Sequence, residues 1–335
     1  MTDFSSMVAR LEAFIGRQDP GRNSPGISAF SQLPVGFSYE TYLFTLSWQD
    51  DSGPCQEDMV MRMEPEFGLI PPYDVRPQYE LLSRLHGSTI PVPEVFWLEA
   101  SGDVLGRPFF IMGRIPGETM FAYAQKHPES LPDLRRQLVE VIIDLHQLDW
   151  RALGLGILGV PENLHDNIEN EIDRWKRELD KSMLFPYPFL DEIHRYLRNN
   201  IPDAQDIAFC HCDIQPANIL VENGRISGVL DWELATLGDP LADLGWSCAT
   251  IEKFFGSEWN ENDYIRQYYQ QRTGRRINDD HLNFWKILSF YKGITMVFTG
   301  LRAGLELPQP KANLLGLYPT NMATFPDAAA RLMGF

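Results

Sequence analysis

The sequence is short of cysteine, of positive charge and of long apolar runs. Four cysteines in 335 residues are too few for a disulfide framework, which points to a reducing compartment and makes the cytoplasm the expected location. No stretch approaches the roughly 18 uninterrupted apolar residues of a spanning helix, so no membrane segment is expected. The opening MTDFSSMVAR has neither the basic start nor the apolar core of a secretory leader. Lysine and arginine number 29 against 46 acidic residues, a formal net charge of −17. That balance lacks the basic footprint needed to hold nucleic acid or an anionic bilayer, so neither is expected as a partner. The deficit is uneven. Residues 1–112 carry 7 basic and 15 acidic groups, whereas 261–311 carry 8 basic and 5 acidic. No lysine occurs before Lys126, so any cation that the first third offers a phosphate must be an arginine.

What is present is a change of period part-way along the chain. Phe4, Met7, Val8, Leu11, Phe14 and Ile15 fall at helical spacing and predict an opening helix, broken by the Pro/Gly/Asn/Ser stretch at 20–26. YETYLFTLSW and EDMVMRME read as strands, DVRPQYELLSRLH as a helix, and PEVFWLE and RPFFIMGR as two more strands. Gly113 and Gly117, with Pro116 between them, predict a hinge at 113–117. It separates a strand-rich lobe, 1–112, from a helical lobe, 118–335. Helices are predicted at 133–148, 166–181, 189–199, 258–273, 280–303 and 322–334, and 207–232 is the single strand-like interruption.

That interruption carries the chemistry. HCDIQPANIL, 211–220, places a histidine, an acid and an asparagine in one loop, and a second acid follows in DWE at 231–233. A metal knot on Cys210, His211 and Cys212 is disfavoured. In a strand the two cysteines share one face and the histidine takes the other, and Cys55 and Cys248 supply no paired set. Phosphoryl transfer fits better. It needs a carboxylate to orient a hydroxyl, for which Asp213 is placed, and oxygen ligands for Mg²⁺, for which Asn218 and Asp231 are placed. His211 is then a post for the loop backbone, and Asn223-Gly224 the turn of the hairpin between the two acids. The order H-x-D-x-x-x-x-N followed by Asp is that of kinase catalytic loops.

With GVLDWELATLGDPLADLGW, the loop resembles the aminoglycoside phosphotransferase and choline kinase-like family. Within it, the chain is most similar to the kinase-like domains fused to certain acyl-CoA dehydrogenases. The resemblance runs from about Leu33 to about Gly304. It implies an α+β, protein-kinase-like bilobal fold, with a small antiparallel-sheet N-lobe holding one helix and a larger, mostly helical C-lobe. It also implies ATP or GTP as donor, Mg²⁺, and a small-molecule hydroxyl as acceptor. The family's GxSNxTY is matched at Gly36, Ser38, Thr41 and Tyr42, with Tyr39 in place of Asn. A turn of Gly36, Phe37 and Ser38 is expected to cover the phosphates with its amides. Arg62, in VMRME, is the candidate phosphate cation. Glu80 is the acid that could orient it. Met112 corresponds to the residue closing the adenine pocket, and Gly113 to Ile115 to the backbone facing the base. Asp239 is expected to cap a helix and Asp243 to tie the loop backbone. Gln215 stands where relatives have His or Arg, and Cys212 where glycine is common.

For the acceptor, the stripe Lys292, Thr295, Thr299 and Arg302 is the candidate surface. On its own a charged stripe is more often a solvated face. A stripe facing the site would suit an anionic acceptor, and the subgroup resemblance points to a hydroxyacyl acid or its CoA thioester. The alternatives are an antibiotic (aminoglycoside or macrolide) phosphotransferase and an inactive nucleotide-binding scaffold. All three of Asp213, Asn218 and Asp231 are present, which opposes the scaffold.

Overall fold

The computed structural model describes residues 4–33, 38–66, 72–204, 206–256, 259, 263–306 and 312–335. The chain divides into two compact units, 1–86 with 93–115, and 87–92 with 116–335.

The first unit is a five-stranded antiparallel sheet with two helices. Helix α1 (Ser5–Gln18) leads into β1 (Asn23–Gln32), β2 (Glu40–Asp50) and β3 (Gly53–Met63). Helix α2 (Val75–Leu85) precedes β4 (Val95–Glu99) and β5 (Phe109–Gly113). The sheet order is β1-β2-β3-β5-β4. Alternation sorts the two faces. Tyr42, Phe44 and Leu46 of β2 and Met59, Met61 and Met63 of β3 pack with Leu11, Phe14 and Ile15 of α1. Arg62, Val60 and Phe110 therefore belong to the opposite face, where Tyr79 of α2 meets Phe110 edge-on at 6.2 Å. The stretch read as a break at 20–26 already contains the start of β1, an irregular strand with register shifts against β2 and positive φ at Ser24 and Ala29.

The second unit is mostly helical. It comprises β6 (Glu118–Thr119), α3 (Met120–Lys126), α4 (Leu131–Gln147), α5 (Leu164–Ser182), α6 (Phe189–Asn199), β7 (Ala208–Cys210), β8 (Ile219–Glu222) and β9 (Arg225–Val229). There follow β10 (Thr236–Gly238), α7 (Leu241–Phe255), α8 (Tyr264–Thr273), α9 (Asp279–Glu306), α10 (Ala312–Met322) and α11 (Phe325–Met333). The hairpin β8–β9 turns at Asn223 and Gly224, both at positive φ, as a tight turn with matching strand twist requires. Strands β6 and β10 lie outside the segment read as strand-like; β10 pairs with β7, and β6 with β8. Helix α9 is the axis of this unit, packed by α5, α6, α7, α10 and α11. No helix among the described residues is long and apolar enough to cross a membrane.

Candidate active site

The loop between β7 and β8 is built on buried polar anchors. Asp243, fully buried at the start of α7, accepts the backbone N–H groups of His211 at 3.0 Å and Cys212 at 2.5 Å. Its second Oδ2 contact is the ring of His146 on α4, at 3.1 Å. Burial alone would raise this carboxyl. The hydrogen bond and charge of His146 and the Cys212 amide outweigh it and hold Asp243 below the usual carboxylate range. Asp239 accepts the Leu241 amide at 2.9 Å, His281 Nε2 at 2.5 Å and Trp285 Nε1 at 2.7 Å, and so joins the starts of α7 and α9.

His211 is fixed as a neutral tautomer. Its Nε2 lies 3.0 Å from the Leu230 carbonyl, which can only accept, and its Nδ1 takes the Asp213 amide at 3.2 Å. Burial keeps its pKa below the ordinary histidine value. Trp232 packs on this ring, with centroids 4.4 Å apart. Cys212 sits at φ 62°, the left-handed region in which glycine is unstrained. Its thiol is buried and pushed well above the ordinary range, mainly by that burial.

Asp213 is cradled by amides. Gln215 Nε2 reaches its Oδ1 at 2.7 Å, and Asn218 Nδ2 reaches its Oδ2 at 2.7 Å and its carbonyl at 3.0 Å. Each carboxylate oxygen keeps a lone pair for a further donor. Burial first, and the Asp231 charge second, push the Asp213 carboxyl well up. Asn218 turns its amide nitrogen to Asp213, which directs its amide oxygen away from that carboxylate. The Asn218 carbonyl takes the Leu230 amide at 2.8 Å, so residue 231 follows directly on the loop. Asp231 itself stands at φ 67°. A neutral amide oxygen beside a carboxylate, with Asp231 close enough to perturb Asp213, is a hard oxygen donor set of the kind that fits Mg²⁺.

Cys210, His146 and Asp243 also converge. Their atoms are already engaged: Cys210 Sγ meets the Asp239 carbonyl at 3.5 Å, and His146 lies between Asp243 and the Tyr269 hydroxyl.

The nucleotide candidates lie in the first unit. Gly36 and Phe37 fall outside the described residues; Ser38 is half-buried in the bend before β2. Arg62 pairs in register with Thr41 and Phe110, and its guanidinium lies 5.0 Å from the Tyr39 ring. Glu80 is exposed. The helical phase explains this. Two residues earlier is nearly half a turn away, and it is Gln78 that α2 buries, with a side-chain oxygen lacking a hydrogen-bond partner. Sequence reading passed over Gln78; its spacing from Val75, Leu81, Leu82 and Leu85 was the available signal. Met112 is buried in β5. The Gly113 amide is taken by the Glu94 carbonyl at 2.8 Å, the Arg114 amide by the Asp58 carbonyl at 2.9 Å, and Ile115 is half-buried.

The acceptor stripe is buried at Lys292 and Thr295 and partly exposed at Thr299 and Arg302. Lys292 is buried, and its ammonium is held by Glu171 at 3.1 Å. Thr295 is fully buried with its hydroxyl on the Tyr291 carbonyl, and Thr299 bonds the Thr295 carbonyl. Arg302 contacts Glu306 at 3.2 Å and the Ser182 carbonyl at 3.4 Å.

The sequence model of the phosphotransferase enzyme family, APH, matches residues 29–277. The chain belongs to this family. As a phosphotransferase it is similar to acyl-CoA dehydrogenase family member 11 of Gallus gallus, 29% identical over 84% of this chain and 38% of that protein. It therefore spans well under half the length of that relative. It is also similar to aminoglycoside 3'-phosphotransferase of Streptomyces fradiae, 24% identical over 64% of this chain and 79% of that one. Among solved structures, the GDP complex of aminoglycoside 2'-phosphotransferase-IIIa superposes with a TM-score of 0.63 at 17% identity, covering 97% of this chain and 99% of that one. The fold is thus the protein-kinase-like one.

Proposed function

We propose that this phosphotransferase moves the γ-phosphoryl group of ATP or GTP to a hydroxyl of a small hydroxyacyl acid or its CoA thioester. The observation that carries the transfer is the Asp213 carboxylate, aimed by Gln215 and Asn218 with lone pairs to spare. It receives the proton of the acceptor hydroxyl as the oxygen engages phosphorus. Asn218 and Asp231 would hold Mg²⁺, which when bound neutralises charge on the transferring phosphates. Gly36, Phe37, Ser38 and the fork of Arg62 would bind those phosphates, with Met112 and the backbone at Gly113 to Ile115 beside the base.

The acyl part of the proposal rests on the relatives whose names are acyl-CoA dehydrogenases. The basic stripe does not carry it, because Lys292 and Arg302 are committed to acidic partners. A nucleotide-turnover screen against 3- and 4-hydroxyacyl-CoA thioesters, aminoglycosides and macrolides decides the acceptor. Turnover of hydroxyacyl thioesters is expected. Robust turnover of aminoglycosides with none of the thioesters would sink this assignment and leave the antibiotic reading.

A further inference from the structure

Helix α7 turns three residues toward the catalytic loop. Asp243 takes the His211 and Cys212 amides, and Ser247, one turn on, donates its hydroxyl to the Ile214 carbonyl at 3.0 Å. Positions three and four apart share a helix face, so Trp246 stands between these anchors, opposite Asp213. The indole is 5% exposed. Its N–H makes no hydrogen bond of normal geometry, yet it interacts with the Asp213 carboxylate. Buried donors in folded proteins are rarely left so, and one beside a catalytic carboxylate is a place where a ligand oxygen would satisfy it.

The ring is held from elsewhere in the same unit. Lys292 Nζ lies 5.9 Å from the Trp246 ring centroid and 5.4 Å from that of Trp175. Glu171 holds Lys292 at 3.1 Å and also accepts the Trp175 indole N–H at 2.8 Å. The ammonium is thus fixed against aromatic rings in a desolvated site, where cation–π attraction is strongest.

We propose that Trp246 donates its indole N–H to the oxygen of the acceptor hydroxyl, and that Lys292 with Glu171 is the positioning pair that fixes this indole. The inference rests on the phosphoryl-transfer reading above. The acceptor oxygen has two lone pairs. One accepts the Trp246 N–H and the other forms the new bond to the γ-phosphorus. The bond from that phosphorus to the β,γ-bridging oxygen breaks, its electron pair leaving with the nucleoside diphosphate, and the hydroxyl proton passes to Asp213. Trp246 and Asp213 together then fix the position and orientation of the nucleophile.

Trp246→Phe removes the donor and keeps most of the ring. Replacing Trp246 by 3-benzothienylalanine keeps the bicyclic shape as well, and serves if the phenylalanine variant fails to fold. Turnover is measured with 4-hydroxyacyl-CoA and, as phosphate release from Mg·ATP, with water as acceptor. Either variant should lose about 10- to 100-fold in kcat with Mg·ATP affinity by calorimetry unchanged, as expected for one hydrogen bond to a charged transition state. Lys292→Met should lower kcat in the same sense. In the Trp246→Phe background it should add nothing, a non-additivity that a purely structural lysine would not show. A variant within about twofold of wild type, or a parallel loss of Mg·ATP affinity, would overturn the proposal. If wild type turns over no hydroxyl compound, the hydroxyacyl reading fails and the donor role is judged on phosphate release to water. A wild-type chain releasing phosphate to no acceptor at all overturns both.

Discussion

At the scale of residues, the proposed mechanism separates groups that act on the substrate from groups that hold them. Asp213→Asn keeps the size and an acceptor oxygen for one of the two amide donors, and removes the proton acceptor. It should cost on the order of 10²–10⁴ in kcat while Mg·ATP binding survives; calorimetry and turnover on one preparation check this, and near-wild-type turnover would remove Asp213 from the chemistry. Cys212 has no such role. Its left-handed backbone is one that glycine adopts without strain, and its buried, protonated thiol explains why it need not react. Cys212→Gly should therefore retain activity with stability changed by no more than about 1 kcal/mol, because relieved backbone strain offsets lost packing. Cys212→Val should fall well below it, since a β-branched residue tolerates this conformation poorly. Thermal melts of the two variants test the order; equal stability would refute the backbone argument. The loop's geometry was legible in the sequence because spacing alone sets Asp213 and Asn218 in one loop and Asp231 just after the following hairpin. Burial on α2 was less legible: an acid such as Glu80 draws attention by its charge, whereas the helix buries whichever residue its phase turns inward, here Gln78.

At the scale of elements, strands with clean alternation were readable and the others were not. The β2 and β3 strands show the period-2 pattern because one face packs on α1. The β1 strand hides behind Pro25, Gly26 and its register shifts, and three-residue β7 and β10 are too short to show any period. Helix α7 was expected from its Asp239 cap rather than from a stripe, being buried on nearly every side. Its packing on α9 is close enough to specify a glycine. A Cβ at Gly245 would lie 2.5 Å from the Trp285 Cβ and 2.8 Å from its backbone carbon. Since backbone cannot rotate aside, Gly245→Ala should destabilise by about 1–3 kcal/mol or more despite alanine's better helix propensity. Denaturant unfolding measures it. A stabilised variant would mean that α7 and α9 can separate at no cost.

At the scale of the whole molecule, net acidity and a few buried charges set how stability responds to pH. Burial alone would depress the Lys292 ammonium, but the charge and hydrogen bond of Glu171 outweigh it and hold it above the ordinary lysine value. Glu171, which burial alone would raise, is held below the usual glutamate value by Lys292 and Arg174. Asp243 is likewise depressed. The signs follow from which state binds more protons. A lysine whose pKa is raised on folding contributes fully below about 10.4 and loses that contribution as pH climbs past its folded value. Tyr269, raised by burial to about 12, acts in the same direction above about 10. Depressed carboxyls contribute fully above about 4 and lose it as pH falls. Asp213, raised, works against them until a cation meets it. Stability should therefore hold a plateau across neutral pH and decline at both ends. The Lys292–Glu171 pair identifies its own share. Lys292→Met strands a partly buried carboxylate and should flatten the acid-side decline, since Glu171 then gains stability on protonation. Lys292→Met with Glu171→Leu should recover much of the loss, as replacing both members of a buried pair commonly does. Denaturant unfolding of wild type, single and double variants between pH 4 and pH 10 reads this directly. A single variant whose stability parallels wild type at every pH would show that the pair contributes nothing to the fold.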